Sequence, residues 1–143
     1  MEEMKADLVS LFALHRMQHP ALRAIQASGI RRTLQNVKPR SDQPYQTMQL
    51  VQFNWFLDKG LMRADPATAR LTIGYDRYVD TVDSLLKEVL RLQHAGDKAA
   101  VDEFFQKWTS WTPQLHDKLA ERIRAAQGAR FRIVKYGALG DSL

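Results

Sequence analysis

The strongest constraint on the fold is an amphipathic pattern between Tyr78 and His94. Apolar residues recur there at intervals of three and four, the spacing that places side chains on one face of an α-helix. The residues on this face are Val79, Val82, Leu85, Leu86, Val89 and Leu90. Gly96 follows, as is common just after a helix end. This segment is the most firmly predicted helix of the chain.

Five further segments also have helical character. Predicted helices run from Glu2 to about Gln18, from about Pro20 to Gln35 with Gly29 as a weak point, from Pro44 to Gly60, from a cap at Asp97 to Trp108, and from Pro113 to about Gln127. The segment NVKPRSDQP is predicted to be a loop. A small β-hairpin is predicted for LMRA and ARLTIGY, which are joined by DPAT. RFRIVKY is predicted to be a short strand or an extended tail. The sequence thus predicts an all-α fold of about six helices with a small β-hairpin, in a single helical domain over residues 1–143.

The composition of the chain bears on its cellular location and on the metal ligands available to it. No apolar run approaches the length of a membrane span, and acids stand at the amino terminus where a signal peptide carries lysine or arginine. We therefore expect a cytoplasmic protein with no membrane partner. The chain has no cysteine, which excludes disulfides, thiol catalysis and cysteine-ligated zinc, so a metal would be held by His, Asp or Glu.

The four histidines are weak candidates for metal ligands. His15 and His19 in HRMQH have the spacing of the HExxH zinc helix. Arg16, however, replaces the glutamate that deprotonates zinc-bound water in that motif, and a permanent cation cannot accept a proton. His94 and His116 have no acidic residue at ligand spacing. We expect all four to be ordinary surface or core residues.

The acidic residues at the start of the first predicted helix are the better candidates. Glu3 and Asp7 are four residues apart and so share one helical face, whereas Glu2 points about 100° away. One carboxylate could bind a metal while its neighbour orients another ligand. The alternative is that acids in a first helical turn complement the helix dipole, which needs no metal.

Three segments, in order along the chain, resemble one known family. EEMKAD followed by LVSLFAL resembles the EEC(R/K)AE segment of the dipeptidyl peptidase III family of zinc aminopeptidases. PYQTMQLVQFNWFLDKG resembles a later helix of that family, which has an Ala-His pair near its start and ends in a leucine, an acid and a glycine. YDRYVDTVDSLLKEVLRLQHAGDKAAVDEFFQKW resembles its long helix, Gly-Asp break and following helix. The resemblance extends to about Trp108.

The resemblance implies a role for several residues. Glu3 matches the glutamate that ligates zinc, and Glu2 and Asp7 match the flanking acids that hold the ligands in place. Met4 stands where the motif usually has a cysteine, and both side chains behave mainly as apolar groups when buried. Tyr45 falls near the position of a family histidine, where it could donate a hydrogen bond from the substrate side but could not carry imidazolium charge.

The resemblance also implies that this chain carries only part of a zinc site. The family's HExxGH helix supplies two histidine ligands and the general base ahead of the glutamate segment, and only Met1 precedes Glu2 here. A catalytic zinc site takes three protein ligands. We therefore expect the carboxyl-terminal part of a larger peptidase, which alone neither holds zinc tightly nor cleaves a peptide substrate. Its expected partner is the missing amino-terminal catalytic segment or, through apolar surface left uncovered, a second copy.

A second class of function is left open by the basic residues. The net charge is +5, and RRTLQNVKPR and a series near the carboxyl terminus are basic. Such clusters could bind an anionic partner in a non-catalytic helical module, with Arg32, Lys38 and Arg40, or Arg122, Arg124, Arg130, Arg132 and Lys135, as contacts. We favour the simpler explanation, which is that these clusters are a solvated surface. No nucleic-acid motif accompanies them, so we expect no nucleic-acid binding and treat Trp108 and Trp111 as core residues.

Overall fold

The computed structural model describes residues 1–33 and 43–126. These residues form six helices and one hairpin: α1 Glu2–Arg16, α2 Leu22–Thr33, α3 Pro44–Asp58, β1 Met62–Asp65, β2 Arg70–Ile73, α4 Tyr78–Ala95, α5 Lys98–Trp108 and α6 Pro113–Ala125. A short 3-10 helix, Tyr75–Arg77, leads into α4. The all-α prediction with a small β-hairpin is confirmed. The predicted loop NVKPRSDQP, except for its last two residues, and the segment RFRIVKY lie outside the described residues.

The ends of the helices follow the local sequence. Pro44 and Pro113 stand at the first positions of α3 and α6, where a missing backbone N–H leaves no hydrogen bond unmade. Gly96 ends α4 in the left-handed conformation, with φ of 63°. The Asp97 carboxylate then caps α5 by accepting the backbone N–H groups of Ala99 and Ala100 at 2.8 and 3.3 Å.

The hairpin is a two-stranded antiparallel sheet in which Met62 pairs with Ile73 and Asp65 pairs with Arg70. Its turn is fixed by Asp65, whose carboxylate accepts the Ala67 N–H at 2.9 Å and the Thr68 hydroxyl at 2.6 Å. Gly74 N–H donates to the Leu61 carbonyl at 2.8 Å and so closes the base of the hairpin.

Helix α3 is the centre of the core. It contacts α1, α2, α4, α5 and β1, and it is buried along most of its length. Most of the largest fully buried side chains come from α1, α3 and α4, among them Met4, Leu8, Phe53, Phe56, Tyr78 and Leu85. Trp108 of α5 packs on Trp55 of α3 with ring centroids 4.7 Å apart, as a core residue would. Each polar side chain in the buried part of α3 needs a hydrogen-bond partner inside the protein.

Within the described ranges, no helix is long and apolar enough to cross a membrane.

Candidate functional site

The candidate site is the head of α1, where Glu3 and Asp7 lie one turn apart and are both partly buried. Met4 and Leu8, on the adjoining face of the same helix, are fully buried and fix α1 against the core. Met4 is therefore a core side chain. The two carboxylates lie at the border between this core and the surface.

Asp7 is held by a residue of the central helix. The side-chain amide of Gln52 donates to Asp7 Oδ2 at 2.8 Å, and Gln52 is only 3% exposed. Tyr78, at the start of α4, also lies near this carboxylate. Burial and the charge of Asp7 together raise the pKa of the Tyr78 hydroxyl far above its usual value, so the tyrosine stays neutral. Helices α1, α3 and α4 thus meet at Asp7.

Glu3 has a different environment. Across residues 1–33 and 43–126, its carboxylate makes no hydrogen bond and no ion pair. Within the described part of the chain it is not paired with a lysine or arginine, and it is only partly buried. A half-buried carboxylate with no internal partner retains its capacity to bind a cation or accept hydrogen bonds from another molecule.

Glu2 is exposed, and its contacts are separate from those of Asp7. It forms an ion pair with Lys5, one turn along the same helix, and accepts a hydrogen bond from the side-chain amide of Gln93 on α4. The hydrogen bond from Lys5, helped by that from Gln93, keeps the pKa of Glu2 below its ordinary value. The structure therefore brings Glu3 and Asp7 to one face and gives Glu2 separate partners.

Tyr45 lies in the first turn of α3 and is 59% exposed. It precedes Gln52 by seven residues, which is two helical turns, so both residues belong to the same side of α3. A helical rise of about 10 Å separates the two positions along the axis. Tyr45 is thus an accessible hydroxyl two turns along α3 from the residue that holds Asp7.

The histidines do not form a ligand set. His116 is 3% exposed, and its two ring nitrogens bond to Asn54 Oδ1 at 2.8 Å and to the Thr112 backbone N–H at 2.9 Å. His19 Nδ1 accepts the Ala21 N–H at 3.1 Å. Among the described residues, no group of three His, Asp or Glu side chains is arranged to hold a metal ion.

The basic residues at the end of α6 are partly used within the fold. Arg122 donates to the carbonyl of Thr68 in the hairpin turn. Arg124 is half-buried, and its Nη1 atom is buried without a hydrogen-bond partner in the described part of the chain. Lys38, Arg40, Arg130, Arg132 and Lys135 lie outside the described residues, as does the side chain of Arg32.

Sequence reasoning did not single out Gln52 as a partner of Asp7. The available signal was its position inside the apolar run LVQFNWF, since a polar residue on a buried helix must be hydrogen-bonded. Nothing local, however, pairs Gln52 with a carboxylate 45 residues earlier.

The chain was compared with known proteins. No family model matches it, and no curated protein matches it. It is similar to the solved structure of DPP III from Caldithrix abyssi, with a TM-score of 0.67 and 24% sequence identity. The match covers 83% of this chain and 24% of that chain. This chain therefore shares its fold with part of that protein and spans about a quarter of its length.

Proposed function

We propose that this chain is the carboxyl-terminal part of the catalytic region of a zinc-dependent, dipeptidyl peptidase III-like metallopeptidase, and that Glu3 is its zinc ligand. The shared fold with DPP III supports the first part of this proposal. The observation that carries the second part is that Glu3, at the position of the EEC(R/K)AE ligand, has no internal partner within the described chain. A glutamate kept for the structure alone would be expected to pair within the fold or to lie fully in solvent.

The donor chemistry fits one arm of a zinc site. A carboxylate oxygen is a normal zinc ligand, and catalytic zinc sites combine three protein ligands with an open position. Two imidazoles and a general base would come from an HExxGH helix, a sequence that the 143 residues do not contain. When bound, zinc would activate water for attack on a peptide carbonyl.

Other residues of the chain would support this ligand. Asp7, fixed by Gln52, would accept the outer N–H of a ligating histidine and so hold the imidazole in one tautomer. Glu2, tied to Lys5 and Gln93, would fasten the head of α1 to α4 beside the ligand. Tyr45 would donate its hydroxyl to the substrate side of the site.

Complementation tests this proposal. The chain is mixed with a separately produced segment that carries the HExxGH helix of a dipeptidyl peptidase III, and cleavage of a chromogenic dipeptidyl substrate is measured with zinc present. We expect activity in the mixture and in neither part alone. Glu3→Gln should reduce the activity of the mixture by more than about 100-fold, and Asp7→Asn by about 10- to 100-fold, the usual effect of losing an outer partner of a metal site.

The matched control is Glu103→Gln, which changes an exposed glutamate of α5. This variant should complement as well as the unmodified chain. Activity of the 143-residue chain alone would show that the site is not divided as proposed. Full activity of the Glu3→Gln mixture would show that this carboxylate is not the ligand.

The non-catalytic alternative, a module that binds an anionic partner or self-associates, remains a prediction. Of the basic residues assigned to it, Arg122 is engaged with the hairpin. Salt-sensitive retention on heparin without complementation would favour this alternative.

A further inference from the structure

An open polar groove lies between the end of α3 and the start of α4. Its volume is about 470 Å³, which is within the range of small-molecule sites. The residues that line it are Lys59, Asp76, Arg77, Asp80, Thr81 and Ser84. Each of these side chains is charged or carries a hydroxyl group, so the groove is suited to a charged ligand.

Opposite charges line this groove without pairing with each other. Arg77 and Asp80 are both exposed and stand three residues apart. This spacing allows ion pairs on a helix, and Glu88 and Arg91 form one at 2.7 Å further along α4. Within the described chain, however, neither Arg77 nor Asp80 makes an ion pair, and Asp76 makes none either. The groove therefore offers charges of both signs.

Arg77 is the groove's available cation. Its Nη1 atom lies 3.3 Å from the point where a Cβ on Gly60 would stand, so the guanidinium is seated against the end of α3. The other cation in the lining, Lys59, is already engaged, since its ammonium lies 3.3 Å from Asp58 and 5.1 Å from the centre of the Trp55 ring. A guanidinium that has no ion pair can bind a carboxylate through two parallel hydrogen bonds.

The wall of the groove also contains a hydroxyl group without an internal partner. Thr81 is 4% exposed, and its hydroxyl makes no hydrogen bond with a described residue but keeps some access to solvent. Ser84 beside it is fixed, because its Oγ accepts the Trp55 indole N–H at 3.0 Å and donates to the Thr81 carbonyl at 2.8 Å. The Thr81 hydroxyl can therefore donate to or accept from a ligand in the groove.

We propose that this groove binds a small zwitterion, namely an amino acid or short peptide with a free ammonium group and a free carboxylate. Arg77 binds the carboxylate, Asp80 and Asp76 bind the ammonium group, and the Thr81 hydroxyl donates to a ligand oxygen. A simple anion would be repelled by the two aspartates, and a simple cation by Arg77. A ligand with both charges has a partner for each. This inference does not depend on zinc or on the proposed peptidase.

An NMR titration of the full 143-residue chain tests the proposal, with glycylglycine as the probe at about pH 6.5, where both of its ends are charged. The matched ligands are N-acetylglycylglycine, which lacks the ammonium group, and glycylglycine amide, which lacks the carboxylate. We expect saturable shifts of the backbone amides around Asp80 and Thr81 with glycylglycine. Each blocked ligand should bind at least about 10-fold more weakly, because it loses one charged hydrogen-bonding group.

Two variants assign the charges to residues. Arg77→Gln should bind glycylglycine and its amide equally, and Asp80→Asn should bind glycylglycine and its acetylated form equally. The control variants are Arg63→Gln and Asp102→Asn, which change exposed residues outside the groove and should keep the full preference for glycylglycine.

Three results would overturn the proposal. One is the absence of saturable shifts with glycylglycine, and another is equal binding of all three ligands by the unmodified chain. The third is an unchanged preference in both Arg77→Gln and Asp80→Asn. Should a variant fail to fold, the three ligands still decide the question on the unmodified chain.

Discussion

Single polar side chains on α3 determine how its neighbours dock. Asn54 donates its amide to the carbonyls of Trp108 and Ser110, both at 2.9 Å, and its oxygen accepts from His116 at 2.8 Å. Asn54 thereby ties the end of α5, the loop after it and α6 to the central helix. Gln52 likewise ties α1 to the central helix, through its hydrogen bond to Asp7. Each of these hydrogen bonds gives a partner to a polar group that has little access to water. Replacing Asn54 or Gln52 with an apolar residue would therefore leave those groups without a partner.

His116 makes the docking of α6 sensitive to pH. Thr112 donates its N–H to Nδ1, and Nε2 bonds to Asn54 Oδ1, so the ring is in its neutral form with the proton on Nε2. Burial lowers the pKa of His116 below its ordinary 6.5, against a weaker opposing effect of the Thr112 carbonyl, which lies 3.1 Å from Nδ1, and of the charge of Asp117. A lowered pKa in the folded state means that the unfolded chain binds the proton first. The stability that neutral His116 contributes is therefore full above about pH 6.5 and is lost as the pH falls through the folded-state pKa.

Thermal unfolding between pH 7.5 and pH 5 measures this effect. We expect the midpoint of the unmodified chain to fall over this range. His116→Gln should be less stable at neutral pH but should lose most of the pH dependence. His94→Gln, at an exposed position on α4, should keep it. An unchanged pH dependence in His116→Gln would show that another group is responsible.

At the scale of the elements, two glycines with different backbone conformations should respond to alanine in opposite directions. Gly96 closes α4 at φ of 63°, a conformation that disfavours any side chain with a Cβ. Gly96→Ala should lower the free energy of unfolding by about 1–2 kcal/mol. Gly29 lies within α2, and an added Cβ there meets no atom within 4 Å. Gly29→Ala should raise the free energy of unfolding by about 0.5–1 kcal/mol.

Urea unfolding of the two variants measures the difference. Each glycine serves as the control for the other, since the chemical change is the same. A higher free energy of unfolding for Gly96→Ala would contradict the claim that α4 ends at a left-handed residue where a Cβ is unfavourable.

The elements themselves follow from local sequence, which is why their prediction succeeded. The apolar face of α4, the prolines that begin α3 and α6, and the Asp97 cap of α5 act over a few residues and can be recognised in the sequence. The predicted ends were one to two residues too long for α1, α3 and α6, because frayed last turns leave no sequence signal of their own. The short 3-10 helix before α4 was not predicted, because a single turn of three residues is too short to show a periodic pattern.

The candidate site could be predicted less completely. The predicted role of Glu3 came from the resemblance, because an acid in the first turn of a helix by itself favours a helix-dipole role. The anchoring of Asp7 by Gln52, and its proximity to Tyr78, join residues 45 and 71 positions away. Contacts between residues so far apart in the sequence depend on how the helices pack, and no local sequence pattern predicts them. The zinc role of Glu3, the flanking roles of Glu2 and Asp7 and the substrate-side role of Tyr45 remain predictions.

At the scale of the whole molecule, the described chain is a packed helical unit that leaves some large hydrophobic side chains at its surface. The exposed ones in the described ranges are Val9, Met17, Tyr45 and Leu90. The Glu3 carboxylate, at the head of α1, makes no ion pair or hydrogen bond with another described residue. The chain shares its fold with about a quarter of a longer protein, and completion of its site by another segment remains a prediction.

The most direct test of this account is a zinc titration of the chain together with the HExxGH-carrying segment, followed calorimetrically in the unmodified, Glu3→Gln and Glu103→Gln forms. The account predicts one tightly bound zinc per complex for the unmodified and Glu103→Gln forms, and an affinity reduced by more than about 100-fold for Glu3→Gln. Equal zinc affinity in all three complexes would contradict it, because Glu3 would then not be a ligand.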